Sequence, residues 1–244
     1  MSPQGSPWSS VEKYRVKANN PIGLGVVDEV PPLHEIVYQR LTRALMAGQI
    51  APGQKLTYRK LAQELGTSDM PVRAALLRLQ SLQALSQLPN GSLILPSMTR
   101  QHFADLMDTR VLCEGAATER AAQIMPPAAV KALKKACAAL TKAAQTQDID
   151  AYLACNYEFK FQIYRNSQSE SLVFIIEMLW LQVGPFLRKF AKHFNGDLSR
   201  VRELHFHEDA LAAIERRDAK AAGRAIRRDI AAGARFLVEH GDFS

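Results

Sequence analysis

The sequence predicts a mostly α-helical protein, with an N-terminal winged helix-turn-helix that carries a small β-hairpin wing and a C-terminal all-α antiparallel helical bundle. Three observations lead to this fold class. Residues 56–79 read as two helices joined at a glycine, and an Asn-Gly hairpin signal follows within residues 85–95. From Thr99 onward the apolar residues recur only at helical spacing. The length of 244 residues suits two domains.

The two helices of residues 56–79 have clear start and stop signals. Thr57 and Ser68 are good N-caps, and Gly66 stands where a helix ends because glycine adopts the left-handed conformation at little cost. Pro71 lies in the first turn of the second helix, where its missing N–H removes no helical hydrogen bond. The inner face of that helix is apolar (Val72, Ala75, Leu76, Leu79). Its outer face carries Asp69, Met70, Arg73 and Gln80. The arrangement is typical of a helix-turn-helix; the alternative is an ordinary pair of capped core helices.

The flanking segments favour the winged version of this motif. A helix is predicted from about Leu33 to Ala47, ended by Gly48, and Pro52-Gly53 predicts a turn. After the second motif helix, short apolar-rich runs at 85–88 and 92–95 are separated by Pro89-Asn90-Gly91, which predicts a hairpin. Helix, helix and hairpin together predict a winged helix over residues 31–97.

The remaining residues, 98–244, show helical stripes and no strand pattern. Met125-Pro126-Pro127 breaks the first stripe, and Gly184-Pro185 predicts a kink within the fourth. A bundle of this size can enclose a pocket. The predicted helices span about 99–124, 128–145, 149–164, 172–194, 198–216 and 219–240.

Charge is concentrated in the predicted winged helix. The chain has a net charge of +7, and residues 31–99 hold seven Lys or Arg against three acids, an excess that suits a phosphate backbone. Residues 1–30 carry three charges of each sign and no sustained period, so we interpret them as a mobile N-terminal tail. An alternative is that Lys13, Arg15 and Lys17 touch a DNA groove.

Three features of the sequence indicate the cellular compartment of the protein. The odd number of cysteines (Cys113, Cys137, Cys155) and the lack of CxxC spacing favour reduced thiols. We find no secretory signal and no run of about 18 apolar residues, so neither export nor a membrane span is expected. A cytoplasmic protein is predicted.

The segments AGQIAPGQKL, LAQELGTSDMPVRAAL and LPNGS resemble the DNA-binding domain of the GntR family of bacterial transcription regulators. The helical remainder is similar to the FCD ligand-binding domain of the FadR subfamily. The resemblance implies a homodimer that binds a short inverted repeat of double-stranded DNA and responds to a small-molecule effector, usually an organic acid.

Seven residues are candidates for DNA contact. The helical wheel exposes Ser68, Asp69, Met70 and Arg73 at the start of the second motif helix, and Arg73 suits a bidentate contact to guanine. The resemblance adds Arg59, as a contact to phosphate or base, and the wing tip at Asn90 and Gly91, which lies in the minor groove in the family. Many relatives carry Arg where this chain has Asp69. Asp69 either accepts from a cytosine amino group or helps to cap the helix.

The family also usually holds a divalent metal, such as zinc or nickel, through an Asp-x3-His helix and two further histidines. The matching positions here are Asn156, Lys160, His207 and Asp229, so only His207 is a usual ligand and no metal cofactor is expected. We predict that Lys160 and Asp229 replace the metal with an ion pair. The alternative is that Lys160 reaches solvent and Asp229 caps or pairs locally with Arg228.

Arg110 completes the predicted effector pocket. It matches a basic residue of the family's first bundle helix and, with Lys160, would meet a carboxylate ligand. The alternative is that Arg110 forms only a helical ion pair with Glu114, one turn on. His205 is interpreted as a packing or surface residue.

No catalytic motif is visible in the sequence: there is no G-x-S-x-G, Walker loop or H-E-x-x-H. We therefore predict a DNA-binding transcription regulator and not an enzyme. The alternative is a helical metal-dependent enzyme or small-molecule binding protein with a basic accessory domain.

Overall fold

The computed structural model describes residues 32–51, 53–193, 206–240 and 243. The predicted tail of residues 1–30, the helix end at Asn195-Gly196-Asp197, the helix start at Leu198 and His205 lie outside this range. The winged-helix segment, residues 33–97, is here called the head. Its elements are α1 (Leu33–Met46), β1 (Lys55–Leu56), α2 (Tyr58–Leu65), α3 (Asp69–Ser81), β2 (Ser86–Gln87) and β3 (Leu93–Ile94).

The predicted caps of the helix-turn-helix are present, with one difference. The Thr57 hydroxyl accepts a hydrogen bond from the Lys60 amide at 3.4 Å, and Gly66 ends α2 with φ of 64°. Ser68 occupies the N-cap position of α3, but its side chain makes no capping hydrogen bond. The inward stripe of α3 is buried as predicted and packs on α1 and α2. The outer face of α3 is left to solvent.

The wing contains one strand more than the sequence predicted. The three strands form an antiparallel sheet in the order β1-β3-β2, with Lys55 opposite Ile94 and Ser86 opposite Ile94 on the other side. β1 was missed because a two-residue strand has no measurable alternation of polarity. The hairpin turn closes through a hydrogen bond from the Gly91 amide to the Leu88 carbonyl, and Gly91 has φ of 83°. Its positive φ is the conformation that favours glycine.

The helical bundle follows the predicted order. Thr99 caps its first helix by accepting from the His102 amide at 3.2 Å, and Asp148 caps the third through the Ala151 amide at 2.9 Å. The described helices are α4 (Arg100–Ile124), α5 (Pro127–Gln145), α6 (Ile149–Arg165), α7 (Glu170–His193), α8 (His207–Glu215) and α9 (Ala219–His240). With the winged helix, they confirm the predicted mostly α fold class.

Helix α7 lies between the head and the bundle core. By length and composition, Glu170–Leu187 is apolar enough to cross a membrane, with a mean hydropathy of 1.4. Its residues Ile176, Trp180 and Phe186 are buried in the core, however, as in a core helix of a globular domain. Gly184-Pro185, where the sequence predicts a kink, lies inside the helical span. Gly184 sits against the backbone of α1.

Candidate functional site

The first turn of α3 presents the predicted DNA-contacting residues to solvent. Ser68, Asp69, Met70 and Arg73 are all exposed, and Met70 keeps 75% of its surface accessible. An exposed methionine at a helix start gains nothing from the core, but it can contact a thymine methyl group. The free amides of the same turn favour an anion such as phosphate. The chemistry of this turn suits a nucleic acid.

Arg73 is held by a residue that the sequence analysis did not single out. Its guanidinium carbon lies 5.8 Å from the ring centroid of Tyr58, the first residue of α2, at cation–π distance. Tyr58 is half-buried, so its ring is a firm surface for a flexible side chain. No local sequence pattern predicts this contact, because it joins two helices across the turn.

The remaining predicted DNA residues flank this turn. Arg59 is exposed on α2. At the wing tip, the Asn90 side-chain oxygen accepts a hydrogen bond from the Ser92 amide at 3.1 Å, so one end of this side chain shapes the turn. The pairing of β3 with β1 ties the wing to the chain that enters α2. The wing is therefore anchored to the helix-turn-helix and not only to its own hairpin.

The bundle encloses a cavity of about 50 Å³, here called the pocket. Four of the five predicted effector residues line it, and His207 stands behind them, with Nε2 3.1 Å from the Asn156 side-chain oxygen. Most of the other lining residues are apolar. The full lining consists of Met107, Arg110, Tyr152, Leu153, Asn156, Lys160, Leu187, Asp229, Ile230, Gly233 and Leu237.

Two side chains of opposite charge meet at the pocket wall. Lys160 Nζ of α6 lies 2.5 Å from Asp229 Oδ2 of α9, and each side chain is only 4% exposed. His207 Nε2 lies 3.9 Å from the same carboxylate oxygen. The alternative in which Lys160 reaches solvent is therefore wrong. Burial also raises the pKa of the neighbouring Tyr152 well above its usual value, and the Asp229 charge adds to this shift, so the phenol stays protonated and can donate.

Arg110 forms the predicted ion pair with Glu114 and also lines the pocket. Its Nε donates to Glu114 Oε1 at 2.6 Å, and both side chains are buried. Glu114 also accepts from Trp180 Nε1 at 3.0 Å and from the Tyr164 hydroxyl. Burial and the Glu114 charge raise the pKa of Tyr164 well above its usual value, so it remains a donor. The two interpretations of Arg110 are thus compatible: it is paired and still faces the pocket.

Comparison with known proteins identifies this architecture. Residues 33–93 match the family described as bacterial regulatory proteins, gntR family, and residues 105–232 match the FCD domain. The second match alone covers more than half of the chain. This chain belongs to the GntR family. It is a GntR-type transcription regulator with an FCD effector-binding domain, as the sequence predicted.

Individual GntR relatives extend this result. The chain is 30% identical over 178 residues to the HTH-type transcriptional regulator McbR of Escherichia coli (strain K12), covering 73% of this chain and 80% of the relative. It is 26% identical over 190 residues to the gluconate operon transcriptional repressor of Bacillus subtilis (strain 168), covering 75% of each. The solved structure of E. coli McbR/YncC superposes with a TM-score of 0.81 at 26% identity, covering 87% of this chain and 100% of that one.

The pocket residues of this GntR regulator do not fit a divalent metal. The ammonium of Lys160 stands against the Asp229 carboxylate that a cation would need, and the Asn156 oxygen is engaged with His207. A protonated amine cannot ligate a metal, and a second cation beside it is repelled. Among the described residues, no group of three His, Cys, Asp or Glu side chains is placed to hold an ion.

Proposed function

We propose that this GntR regulator is a cytoplasmic homodimer that binds a short inverted repeat of DNA and responds to a small carboxylate bound in the bundle. The buried Lys160–Asp229 pair at the pocket wall carries this proposal. A cation held in an apolar cavity is a specific anchor for an anionic ligand, and its present partner is itself a carboxylate.

The proposed ligand takes the place of Asp229 on Lys160. Exchanging one carboxylate for another keeps an anion beside the buried Lys160, but it breaks the contact of Lys160 with Asp229, and the other contacts of the ligand must offset that cost. Arg110 and the Tyr152 hydroxyl supply further donors, while Leu153 and Ile230 suit a short aliphatic chain. The small volume of the cavity favours a small acid over a long-chain one.

Ligand binding regulates DNA affinity only if the ligand prefers one arrangement of the heads over another. The test is to titrate the full-length protein with short aliphatic mono- and dicarboxylates while following its melting temperature, since a ligand of the folded state raises it. We expect at least one acid to raise the melting temperature, and we expect Lys160→Met to abolish that rise. Equal stabilisation of the parent and of Lys160→Met would contradict the proposed anchor.

We further propose that the pocket works without a metal. The Lys160–Asp229 pair holds α6 and α9 together at the pocket, as a bound ion would in a member of the family with the usual ligands. Elemental analysis of untagged, full-length protein tests this directly. One equivalent of zinc or nickel per chain would contradict the proposal.

The homodimer is proposed because two-fold operators match two-fold proteins and a single winged helix buries little DNA surface. Light scattering of the full-length protein should give twice the chain mass of 27.1 kDa. A monomer at micromolar concentration would contradict the dimer.

A salt titration on selected and random DNA tests the specificity of DNA binding. A regulator binds its own site orders of magnitude more tightly than random DNA, whereas a protein that is merely basic does not.

A further inference from the structure

Helix α7 contacts the head directly through Gly184. A Cβ atom built on Gly184 would lie 2.5 Å from the Leu45 carbonyl oxygen and 2.7 Å from Met46 Cα, both in the backbone of α1. The backbone of α1 cannot rotate away as a side chain can. The close packing of α1 on α7 therefore requires a residue without a side chain at position 184. Any shift of α7 at this point must move α1, on which the recognition helix α3 packs.

The same helix contacts the pocket, one turn earlier and one turn later. Trp180 is fully buried, and its Nε1 donates to Glu114 Oε1 at 3.0 Å. The guanidinium carbon of Arg110, a pocket residue, lies 4.7 Å from the Trp180 ring centroid. Leu187 lines the pocket itself. Positions 180, 184 and 187 are spaced i, i+4 and i+7, so one side of α7 carries all three contacts.

Pro185 removes one hydrogen bond from α7 next to its contact with α1. Proline has no N–H, so the hydrogen bond that residue 185 would donate to the Leu181 carbonyl is missing from α7. A helix bends most easily where one of its hydrogen bonds is absent. The missing hydrogen bond between residues 181 and 185 thus lies within the same stretch of α7 as the contacts at Trp180, Gly184 and Leu187.

We propose that α7 couples the pocket to the head, with Trp180 and Gly184 as its positioning residues. A ligand that draws Arg110 toward its carboxylate loosens Arg110 from Glu114 and from the Trp180 ring. Trp180 then repositions α7, and Gly184 passes the displacement to α1 and so to α3. This inference rests on the proposed function, because it assumes that the head binds DNA and that the pocket holds the effector.

Linkage is reciprocal, so DNA bound to the head must alter the surroundings of Trp180. The chain has two tryptophans, and a Trp8→Phe background leaves Trp180 as the sole emitter. The probe is the DNA sequence that the full-length protein selects from a random pool, with unselected DNA as the comparison. Because Trp180 is buried in the bundle, DNA cannot quench it by contact. We expect the selected DNA to shift the emission and unselected DNA to shift it much less.

Two variants in this background separate coupling from stability. Gly184→Ala forces a methyl group against α1, so it should remove most of the DNA-dependent shift, with the bundle still folded by circular dichroism. Ile175→Ala changes an exposed side chain on α7 that is 41% accessible and serves as the matched control, which should keep the shift. A Gly184→Ala protein that binds the selected DNA and shows the full parental shift would overturn the proposal.

Amide hydrogen exchange on the unsubstituted chain gives a second readout that does not depend on a variant folding. Selected DNA should change the exchange of α7 amides around residues 180–187. If the selected DNA is bound and neither the emission nor the exchange of α7 changes, the coupling is wrong. Failure to select any sequence would instead contradict the proposed DNA-binding function, and the coupling with it.

Discussion

Lys160 and Asp229 join α6 to α9 through a buried ion pair with 2.5 Å between Nζ and Oδ2. The two residues are 69 positions apart in the chain, and His207 Nε2 lies 3.9 Å from the same Asp229 oxygen. A buried pair is costly to break on one side, because the remaining charge is left in an apolar environment.

Removing one partner of this pair should therefore cost more than removing both. Asp229→Asn should lower the free energy of unfolding by about 3 kcal/mol, and the double variant Lys160→Met, Asp229→Asn should lose clearly less. Urea unfolding of the parent, both single variants and the double variant measures the coupling. Additive losses would show that the two charges do not depend on each other.

The sequence predicted much of this geometry, and the limits of the prediction have physical causes. Helix periodicity, caps and the Asn-Gly turn are local signals, so the order and bounds of the helices follow from short segments. The convergence of Asn156, Lys160 and Asp229 was predicted only through the family resemblance. Spacing within one helix cannot place α6 against α9, because the two helices are separated in the chain by α7 and α8.

Two contacts of the candidate sites that the sequence did not predict join separate elements. Tyr58 supports Arg73 across the helix turn, and Trp180 reaches Glu114 from another helix. An aromatic residue at helical spacing is usually part of a core, so nothing local distinguishes these two. The role of Gly184 depends on the position of the α1 backbone, which no helical pattern reveals.

Gly233 provides a test of the pocket that is independent of the charges. It lines the pocket inside α9, and a Cβ added there meets nothing within 4 Å. Gly233→Ala should raise the free energy of unfolding by up to about 1 kcal/mol, because alanine is the better helix former. At Gly115 in α4, the added Cβ would clash with the Arg227 side chain, so Gly115→Ala should gain less or destabilise. Thermal unfolding of both variants measures the two changes in stability. Equal changes would contradict the presence of free space at Gly233.

Glu119 links α4 to α9 and sets a pH dependence. Hydrogen bonds from Lys220 and Arg227, both at 2.7 Å, hold the pKa of Glu119 below its ordinary value of 4.5. A carboxyl whose pKa is lowered by folding stabilises the protein above its unfolded pKa, and this contribution is lost as the pH falls through the folded value. Glu119→Gln should cost about 1 kcal/mol at pH 7, since Lys220 is largely exposed.

The same difference should shrink as the pH is lowered below 4.5, because the parent then loses the charge that the variant lacks. Urea unfolding of parent and variant at pH 7 and at the lowest pH where both remain folded measures it. A gap that is constant across this range would mean that the Glu119 charge contributes nothing.

Tyr58 should matter for DNA binding through its ring and not through its hydroxyl. Tyr58→Leu removes the surface on which Arg73 rests and should weaken binding to the selected DNA by about two- to fivefold, the range for a cation–π contact near solvent. Tyr58→Phe keeps the ring and should bind like the parent. If the leucine variant also binds like the parent, Arg73 does not depend on this support.

The central claim, that the exposed start of α3 reads DNA, is tested most directly by comparing Arg73→Ala with the parent on selected and random DNA at one salt concentration. Arg216→Ala, an exposed arginine at the end of α8, is the control for loss of one positive charge. We predict that Arg73→Ala loses about 1–3 kcal/mol on the selected site and far less on random DNA, while Arg216→Ala loses little on either. Unchanged affinity of Arg73→Ala for the selected site, or an equal loss on both DNAs, would contradict the claim.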